Sequence, residues 1–310
     1  MIKVSHLVKQ FGPLTAVNDL SFEVGPGTVL GFLGPNGAGK STTMKMITGF
    51  LTPSSGQVSI HGHDIVAARQ AAQTRLGYLP EGAPCYEEMT VKNFLTFIAE
   101  VRGARGTVRN QWVDRATDTV SLRKVLDQRI ETLSKGYKRR VGLAQALIHD
   151  PDVLILDEPT DGLDPNQKHQ VREMILSLSD QKIVIISTHI LEEVSAVCSR
   201  ALIISDGQIV LDDTPQGLRA RAADHLAVSL KVDGLDPEAL KIACQALSEC
   251  ERVEIAEGGL VTVFPVPGSS GLLMALQMLI ADKGWQVAQL QQHEGQLDEV
   301  FRQVTLEAQR

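Results

Sequence analysis

Gly34-Pro-Asn-Gly-Ala-Gly-Lys-Ser41 is the most informative segment of this 310-residue chain. It fits the pattern G-x-x-x-x-G-K-[ST] in full. The apolar run Val29–Leu33 before it predicts a buried strand, and Ser41–Gly49 predicts a helix. In such a unit the glycines let backbone N–H groups turn inward and hold phosphate oxygens, assisted by the positive end of the helix. A chance glycine turn is the alternative, and the flanking strand and helix argue against it.

The segment therefore predicts a site for the phosphates of a nucleotide and for Mg²⁺; the family resemblance described below implies that the nucleotide is ATP. Lys40 is expected to neutralise the β- and γ-phosphates and to take part in catalysis, and the Ser41 hydroxyl to reach the metal. The predicted phosphate-binding residues are Gly34, Pro35, Asn36, Gly37, Ala38, Gly39, Lys40, Ser41 and Thr42.

A second segment, Val153-Leu-Ile-Leu-Asp-Glu158, places two carboxylates directly after four apolar residues. Such a run predicts a buried strand, and parallel α/β sheets bind ligands at the carboxyl ends of their strands. Asp157 is expected to hold Mg²⁺, usually through water, and Glu158 to polarise the water that attacks the γ-phosphate. In isolation the two acids would indicate only a solvated turn. Downstream of a phosphate-binding loop they predict catalysis.

The order of elements predicts an α/β P-loop NTPase domain with a largely parallel sheet over residues 1–217. Residues 1 to about 30 are typical of short strands broken by glycine and proline. A helical subdomain is expected at about 84–146. After Pro215 the pattern changes to β-α-β-β-α-β, which predicts a small α+β, ferredoxin-like accessory domain over 226–310.

Composition limits the range of functions. The net charge of −7 argues against a nucleic-acid partner, because phosphate neutralisation needs a basic face. None of the four cysteines forms a Cys-x-x-Cys pair, so zinc and thioredoxin chemistry are not expected. The most apolar late segment, Leu272–Ala281, is half the length of a membrane span, which needs about 20 residues. Any membrane role is therefore expected to come through a partner.

Leu133-Ser-Lys-Gly-Tyr137 adds a family resemblance. With the two segments above, it resembles the ABC ATPase family, whose Leu-Ser-Gly-Gly-Gln signature contacts the γ-phosphate bound by the opposite subunit. Ser134 and Gly136 match that signature, whereas Lys135 and Tyr137 depart from it. The resemblance covers residues 1 to about 215.

Three further residues match the family's order of motifs, and a fourth departs from it. Asp164 corresponds to the acid of the loop that communicates between the two sites, and His189 to the switch histidine that contacts the γ-phosphate and helps position the water. Phe11 stands where the family stacks an aromatic ring on adenine. Glu81 replaces a glutamine that usually reaches Mg²⁺ and the membrane subunit. An ionised carboxylate still binds the metal or its water, but it cannot donate a hydrogen bond.

The resemblance implies an ATPase that works as a homodimer through its nucleotide-binding domains and energises the transmembrane permease of an ABC exporter. It also implies a cytoplasmic location, peripheral on the inner face of the membrane through the permease. Gly77-Tyr-Leu-Pro-Glu81 and Leu297-Asp-Glu-Val-Phe301 resemble the type-2 exporter subgroup, and within it the ATPase subunit associated with gliding motility. The cargo is not indicated.

Three other classes of protein are less consistent with the sequence. ABC ATPases of DNA repair and chromosome structure carry a long heptad-bearing coiled coil, and this sequence shows none. Ribosome-associated ABC proteins carry two nucleotide domains and a basic linker in one chain. A P-loop NTPase outside the ABC family would leave Ser134, Asp164 and His189 unexplained.

Overall fold

The computed structural model describes residues 1–82 and 85–308. The strands are β1 (Ile2–Phe11), β2 (Leu14–Val24), β3 (Val29–Leu33), β4 (Ser55–Ile60), β5 (His63–Asp64), β6 (Leu76–Leu79), β7 (Val153–Asp157), β8 (Ile183–Thr188), β9 (Arg200–Ser205), β10 (Gln208–Asp213), β11 (Val228–Val232), β12 (Cys250–Ile255), β13 (Val261–Pro265) and β14 (Val287–Gln292). The α-helices are α1 (Lys40–Ile47), α2 (Arg69–Thr74), α3 (Val91–Val101), α4 (Gly106–Thr119), α5 (Lys135–Leu147), α6 (Pro165–Ser179), α7 (Leu191–Val197), α8 (Pro215–Arg219), α9 (Pro237–Gln245), α10 (Leu272–Lys283) and α11 (Leu297–Ala308).

The described residues group into two compact units, Met1–Pro215 together with the residues from Val304 onward, and Gln216–Gln303. In the first unit a six-stranded sheet has the order β10-β9-β3-β8-β7-β6. Its strands are parallel except for β10, which forms an antiparallel hairpin with β9. The turn of that hairpin, Asp206-Gly207, has two positive φ angles, 48° and 76°, as a two-residue hairpin turn requires.

The central strands of this sheet are buried on both faces, as their apolar runs predict. Alternate residues of β7 enter different cores. Val153 and Ile155 pack in the core that contains α1, whereas Leu154 and Leu156 pack in the core that contains helices α3 to α5. The sheet therefore forms the middle layer of the unit, with one core on each face.

The predicted helical insertion is present as α3, α4 and α5, with two 3₁₀ turns, Arg123–Val125 and Ile130–Thr132, between α4 and α5. The predicted first residue of this subdomain, residue 84, lies outside the described residues. Thr90 caps α3, because its side chain accepts a hydrogen bond from the Asn93 N–H at 3.2 Å.

The amino-terminal strands differ from the expectation of short segments. β1 and β2 have 10 and 11 residues and form a four-stranded antiparallel sheet with β4 and β5. Register shifts interrupt the β1–β2 pairing. His6 and Asp19 take φ angles of 50° and 58° there. Such irregularities let a long ribbon bend without ending, which local patterning does not reveal.

The second unit confirms the predicted β-α-β-β-α-β order. Its four antiparallel strands have the order β12-β13-β11-β14, the arrangement of a ferredoxin-like sheet. Val228, Leu230 and Val263 on the strands pack with Leu240 of α9 and Leu276 of α10 in a core of their own. Across the described residues, none of the helices is long and apolar enough to span a membrane.

Candidate nucleotide site

The phosphate-binding loop lies between β3 and α1, as predicted. Two of its glycines are required by close backbone approach. A Cβ atom on Gly34 would lie 2.5 Å from the Ile204 carbonyl oxygen, and one on Gly39 would lie 2.4 Å from that of Ala16. Gly39 is also the N-cap of α1, with a φ of 99°. The loop thus holds the free N–H groups at the start of α1 toward the region where a phosphate would bind.

The other predicted members of the loop differ in exposure. Asn36 and Gly37 are exposed, Ala38 is buried, and Pro35, Ser41 and Thr42 are partly buried. Gly37 has a φ of 86°, which favours glycine.

Lys40 is buried, and its ammonium group donates to two carbonyl oxygens of its own loop. The distances are 2.7 Å to Gly34 and 3.1 Å to Pro35. Burial lowers the pKa of Lys40, whereas the charges of Glu158, Asp157 and Glu81 oppose that shift. The lysine charge is therefore only weakly compensated by neutral carbonyls. A phosphate oxygen in their place would pair it with an opposite charge.

The sheet brings four distant motifs to one edge. Strands β3, β8, β7 and β6 are neighbours and run parallel. Asp157 is level with Ser187, and Leu33 is level with Thr188. Each predicted motif follows one of these strand ends: the phosphate loop after β3, His189 after β8, Glu158 after β7 and Glu81 after β6.

The Asp157 carboxylate fits a metal ion. Its Oδ1 atom accepts hydrogen bonds from Ser41 Oγ, at 3.4 Å, and from Ser187 Oγ. Its Oδ2 atom is buried and has no hydrogen-bond partner among the described residues. A buried carboxylate oxygen without a partner is costly, and oxygen ligands are those that Mg²⁺ prefers. Ser41 and Asp157 would hold the ion, which would neutralise charge on the phosphates.

Glu158 and His189 form a pair at the centre of the edge. Glu158 Oε1 lies 2.9 Å from His189 Nδ1. The Glu158 side chain is 18% exposed and that of His189 49%, so the pair opens to solvent on the histidine side. Glu158 takes a left-handed φ of 50°, and its N–H donates to the Ser187 carbonyl at 3.0 Å. The carboxylate is thus held beside His189 with part of its surface open to solvent.

Glu81 is exposed on the loop after β6. It is near enough to the site for its charge to raise the pKa of Lys40, although less than Glu158 and Asp157 do. Glu81 thus lies within electrostatic range of Lys40.

A second cluster contains the signature residues. Ser134 caps α5 by accepting a hydrogen bond from the Tyr137 N–H, and Asp164 caps α6 by accepting one from the Gln167 N–H at 2.9 Å. Gly136 packs against the Gln167 side chain so closely that a Cβ atom would lie 2.2 Å from Oε1. Gly136 and Asp164 line a cavity of about 410 Å³, and no residue of the phosphate-binding loop is among its described lining.

Phe11 lies at the end of β1, next to the left-handed Gly12. Its ring is 46% exposed, and the Lys9 ammonium lies 5.2 Å from the ring centroid. A largely exposed aromatic ring beside a cation is suited to stacking on a nucleobase.

Two polar groups of the site were not predicted. Ser187 contacts Asp157 because the two residues are level on adjacent parallel strands, so the strand alignment is the signal that would have identified it. Arg139 is buried on α5 and donates to the Asp157 carbonyl at 2.6 Å. No local sequence signal indicated this contact, because it depends on the packing of α5 against β7.

Glu193 is a third buried polar group. Its carboxylate accepts hydrogen bonds from the hydroxyls of Thr160 and Thr188, the latter at 2.9 Å. Thr188 directly precedes His189. The buried carboxylate thus holds the side chain of the residue that precedes His189.

Known proteins are similar to this chain in sequence and in fold. The family model described as ABC transporter matches residues 17–161. The Nod factor export ATP-binding protein I of Paraburkholderia xenovorans (strain LB400) is 35% identical over 256 residues, which are 82% of this chain and 83% of that protein. A solved structure of the ATP-binding subunit of an ABC transporter is similar with a TM-score of 0.65 and 28% identity, covering 71% of this chain and 92% of the other.

The probable multidrug ABC transporter ATP-binding protein YbhF of Escherichia coli (strain K12) is 36% identical over 225 residues. Those residues are 72% of this chain but 39% of YbhF, so this chain spans about two fifths of that relative's length. The fold, the P-loop site and these similarities define an ABC-type ATP-binding cassette. The chain belongs to the ABC transporter ATP-binding family, whose members hydrolyse ATP.

Proposed function

We propose that this chain hydrolyses ATP, with Glu158 as the residue that polarises the attacking water. The pairing of Glu158 with His189 at 2.9 Å, beside Asp157 and Lys40, is the observation that carries the proposal. A carboxylate that takes part of the water's proton makes the oxygen more nucleophilic. His189 holds that carboxylate in place and faces the γ-phosphate. Lys40 neutralises the phosphate charge, and Phe11 stacks on the adenine.

Bound Mg²⁺, held by Ser41 and Asp157 with Glu81 at the rim, would screen the phosphate charge. The partnerless Asp157 Oδ2 supports this assignment.

The proposed active form is a homodimer that closes on ATP. Gly136 and Asp164 face a cleft whose described lining lacks the phosphate-binding loop, so within one chain the signature and the P-loop belong to separate clusters. In a two-fold dimer, a contact from one surface of the first copy to another surface of the second copy is repeated with the two copies exchanged. Ser134, Gly136 and Asp164 of one copy would then complete the ATP site of the second.

The proposed partner is the transmembrane permease of an exporter, which would place the chain on the cytoplasmic face of the membrane. The name of the Nod factor export relative supports an exporter. The Gly77-Tyr-Leu-Pro-Glu81 segment supports the type-2 subgroup and, within it, similarity to the gliding-motility ATPase subunit. Residues 226–310 are proposed as an accessory domain that strengthens dimerisation or senses a regulator, because no P-loop or signature residue lies within them. A passive extension that only covers apolar surface of the main domain is the alternative. Co-purification in mild detergent is the direct test of the permease.

Mixing two inactive variants tests the shared site. Lys40→Ala removes the phosphate charge, and Ser134→Arg blocks the signature. Neither variant alone should hydrolyse ATP. In a mixed dimer, the intact P-loop of one chain would face the intact signature of the other, so the mixture should regain up to about a quarter of wild-type activity for randomly assorting two-fold dimers. If each chain carried a complete site, the mixture would stay as inactive as its components.

A further inference from the structure

The Arg139 side chain binds the backbone on which the proposed catalytic glutamate is mounted. Arg139 is 5% exposed. Nη2 donates to the carbonyl oxygens of Asp157, at 2.6 Å, and of Glu158. Nε donates to the Pro159 carbonyl at 3.1 Å, and Nη1 to the Pro80 carbonyl at 3.4 Å. One guanidinium thus contacts the last residue of β7, the two residues after it and the residue before Glu81.

Burying the Arg139 guanidinium costs desolvation free energy, so stabilisation of the core alone does not explain this arrangement. Burial lowers the pKa of Arg139, and the nearby charges of Asp161, Asp157 and Glu158 only partly oppose that shift. A buried cation is often no better for stability than an apolar side chain of similar size. The planar guanidinium does, however, offer donors in a fixed fork. It therefore specifies where the four carbonyls lie.

The backbone that Arg139 holds is strained at the functional residue. Glu158 has a φ of 50°, in a region that non-glycine residues seldom adopt. Such conformations persist when the surroundings over-determine them. The Glu158 carbonyl points to Arg139, while its N–H points to Ser187. Both sides of the residue are thus fixed, which aims the carboxylate at His189.

Arg139 also belongs to the helix that Ser134 caps. Five residues of α-helix span about 7.5 Å, so a rigid segment of roughly one and a half turns joins the signature serine to the guanidinium. We propose that Arg139 is a positioning residue that sets the Glu158 backbone and ties it to the signature helix. A displacement of Ser134 against the nucleotide of one site would thereby reach the glutamate of the other. This inference rests on the proposed ATP hydrolysis.

Arg139→Met keeps the length of the side chain and removes the donors. The variant should lose about 10²-fold in kcat, the cost of a misplacement near 1 Å, while KM for ATP stays within about threefold. Arg139→Lys should recover part of the loss, because an ammonium cannot reach all four carbonyls. Combined with Glu158→Gln, Arg139→Met should add less than about threefold, because residues that act as a unit are not additive.

Arg102→Met is the matched control. Arg102 also donates to backbone carbonyls, those of Gln73 at 2.9 Å and Leu76 at 3.5 Å, but outside the site. Its basal kcat should match that of the wild type. A wild-type kcat in Arg139→Met would overturn the inference even if Glu158→Gln is inactive, and so would a multiplicative loss in the double variant.

Hydrogen exchange on ATP-free protein gives a second readout that does not depend on hydrolysis. The amides of residues 157, 158, 160 and 161 should exchange faster in Arg139→Met than in the wild type and in Arg102→Met. Unchanged exchange there would also overturn the positioning role. If the wild type itself fails to hydrolyse ATP while this exchange difference is present, the proposed function is wrong. The positioning of the Glu158 backbone by Arg139 is then still supported.

Discussion

Glu158 Oε1 and His189 Nδ1 lie 2.9 Å apart although 31 residues separate them in the chain. The contact exists because β7 and β8 are adjacent parallel strands that end at the same edge. The Glu158 N–H donates to the carbonyl of Ser187, two residues before His189, which holds the two strand ends together. Catalysis is thus proposed to depend on a pair that the sheet assembles.

Removal of the histidine tests that pair. His189→Ala should lower kcat about 10²-fold or more, the range of groups that act in proton transfer and its positioning. Phosphate release at saturating ATP measures it. His169→Ala, an exposed histidine on α6, is the control and should leave kcat unchanged. Equal rates in both variants would remove His189 from the site.

Loss of the P-loop lysine should weaken binding itself. Lys40→Ala removes an ammonium group that donates to the Gly34 and Pro35 carbonyl oxygens. When ATP is bound, this group would donate to the phosphates instead. ATP affinity should fall about 10-fold or more, since hydrogen bonds to charged groups contribute roughly 1.5–3 kcal/mol. Titration calorimetry measures the change, with Lys45→Ala on the same helix as the control. An unchanged Kd would contradict the phosphate role.

Substitutions of Glu81 distinguish basal ATP hydrolysis from stimulation of hydrolysis by the permease. Glu81→Gln restores an amide that can reach a metal or a partner, so hydrolysis should persist. Glu81→Ala should weaken stimulation by the co-purified permease at least about fivefold, a modest coupling energy, while basal hydrolysis serves as the internal control. Equal stimulated rates in Glu81→Ala and the wild type would show that residue 81 does not couple the two subunits.

The loss of stability at acidic pH should depend on the lowered pKa of His149. Burial is the main reason that its pKa falls from 6.5 to about 4, and its Nε2 atom lies 3.2 Å from the Leu76 carbonyl oxygen. The folded state therefore favours the neutral imidazole. Its contribution to the free energy of unfolding is complete above pH 6.5 and is lost as the pH falls toward 4.

His149→Gln cannot titrate, so its melting temperature should fall less between pH 7 and pH 5 than that of the wild type. Thermal unfolding at both pH values measures the difference. Parallel declines in the two proteins would contradict a buried neutral His149.

The sequence predicted the positions of the motifs better than their contacts. The P-loop, Asp157 and Glu158 were identified because each follows a short apolar run, whereas His189 was identified by the family's order of motifs. The sheet does place the corresponding strand ends side by side. The β-α-β-β-α-β tail was readable because its alternation and its Gly258-Gly259 turn are local signals. Both glycines of that turn take positive φ angles.

Contacts that depend on packing between distant elements were not predictable. Arg139 reaches β7 and Pro80 only because α5 packs on the sheet, so its role depends on tertiary packing. The residues from Val304 onward group with the first unit, whereas the predicted accessory domain included them. The boundaries at residues 217 and 226 stay predictions, as do the individual roles of the site residues.

The most direct test of the account is sedimentation of Glu158→Gln with and without MgATP, since the account requires two copies to close on ATP and Glu158 to act afterwards. The variant should bind ATP, lose about 10²-fold or more in turnover, and sediment as a dimer only when MgATP is present. Glu192→Gln, an exposed acid on α7, should turn over normally and accumulate no such dimer. Wild-type turnover in Glu158→Gln, or a species that stays monomeric with MgATP bound, would contradict the account.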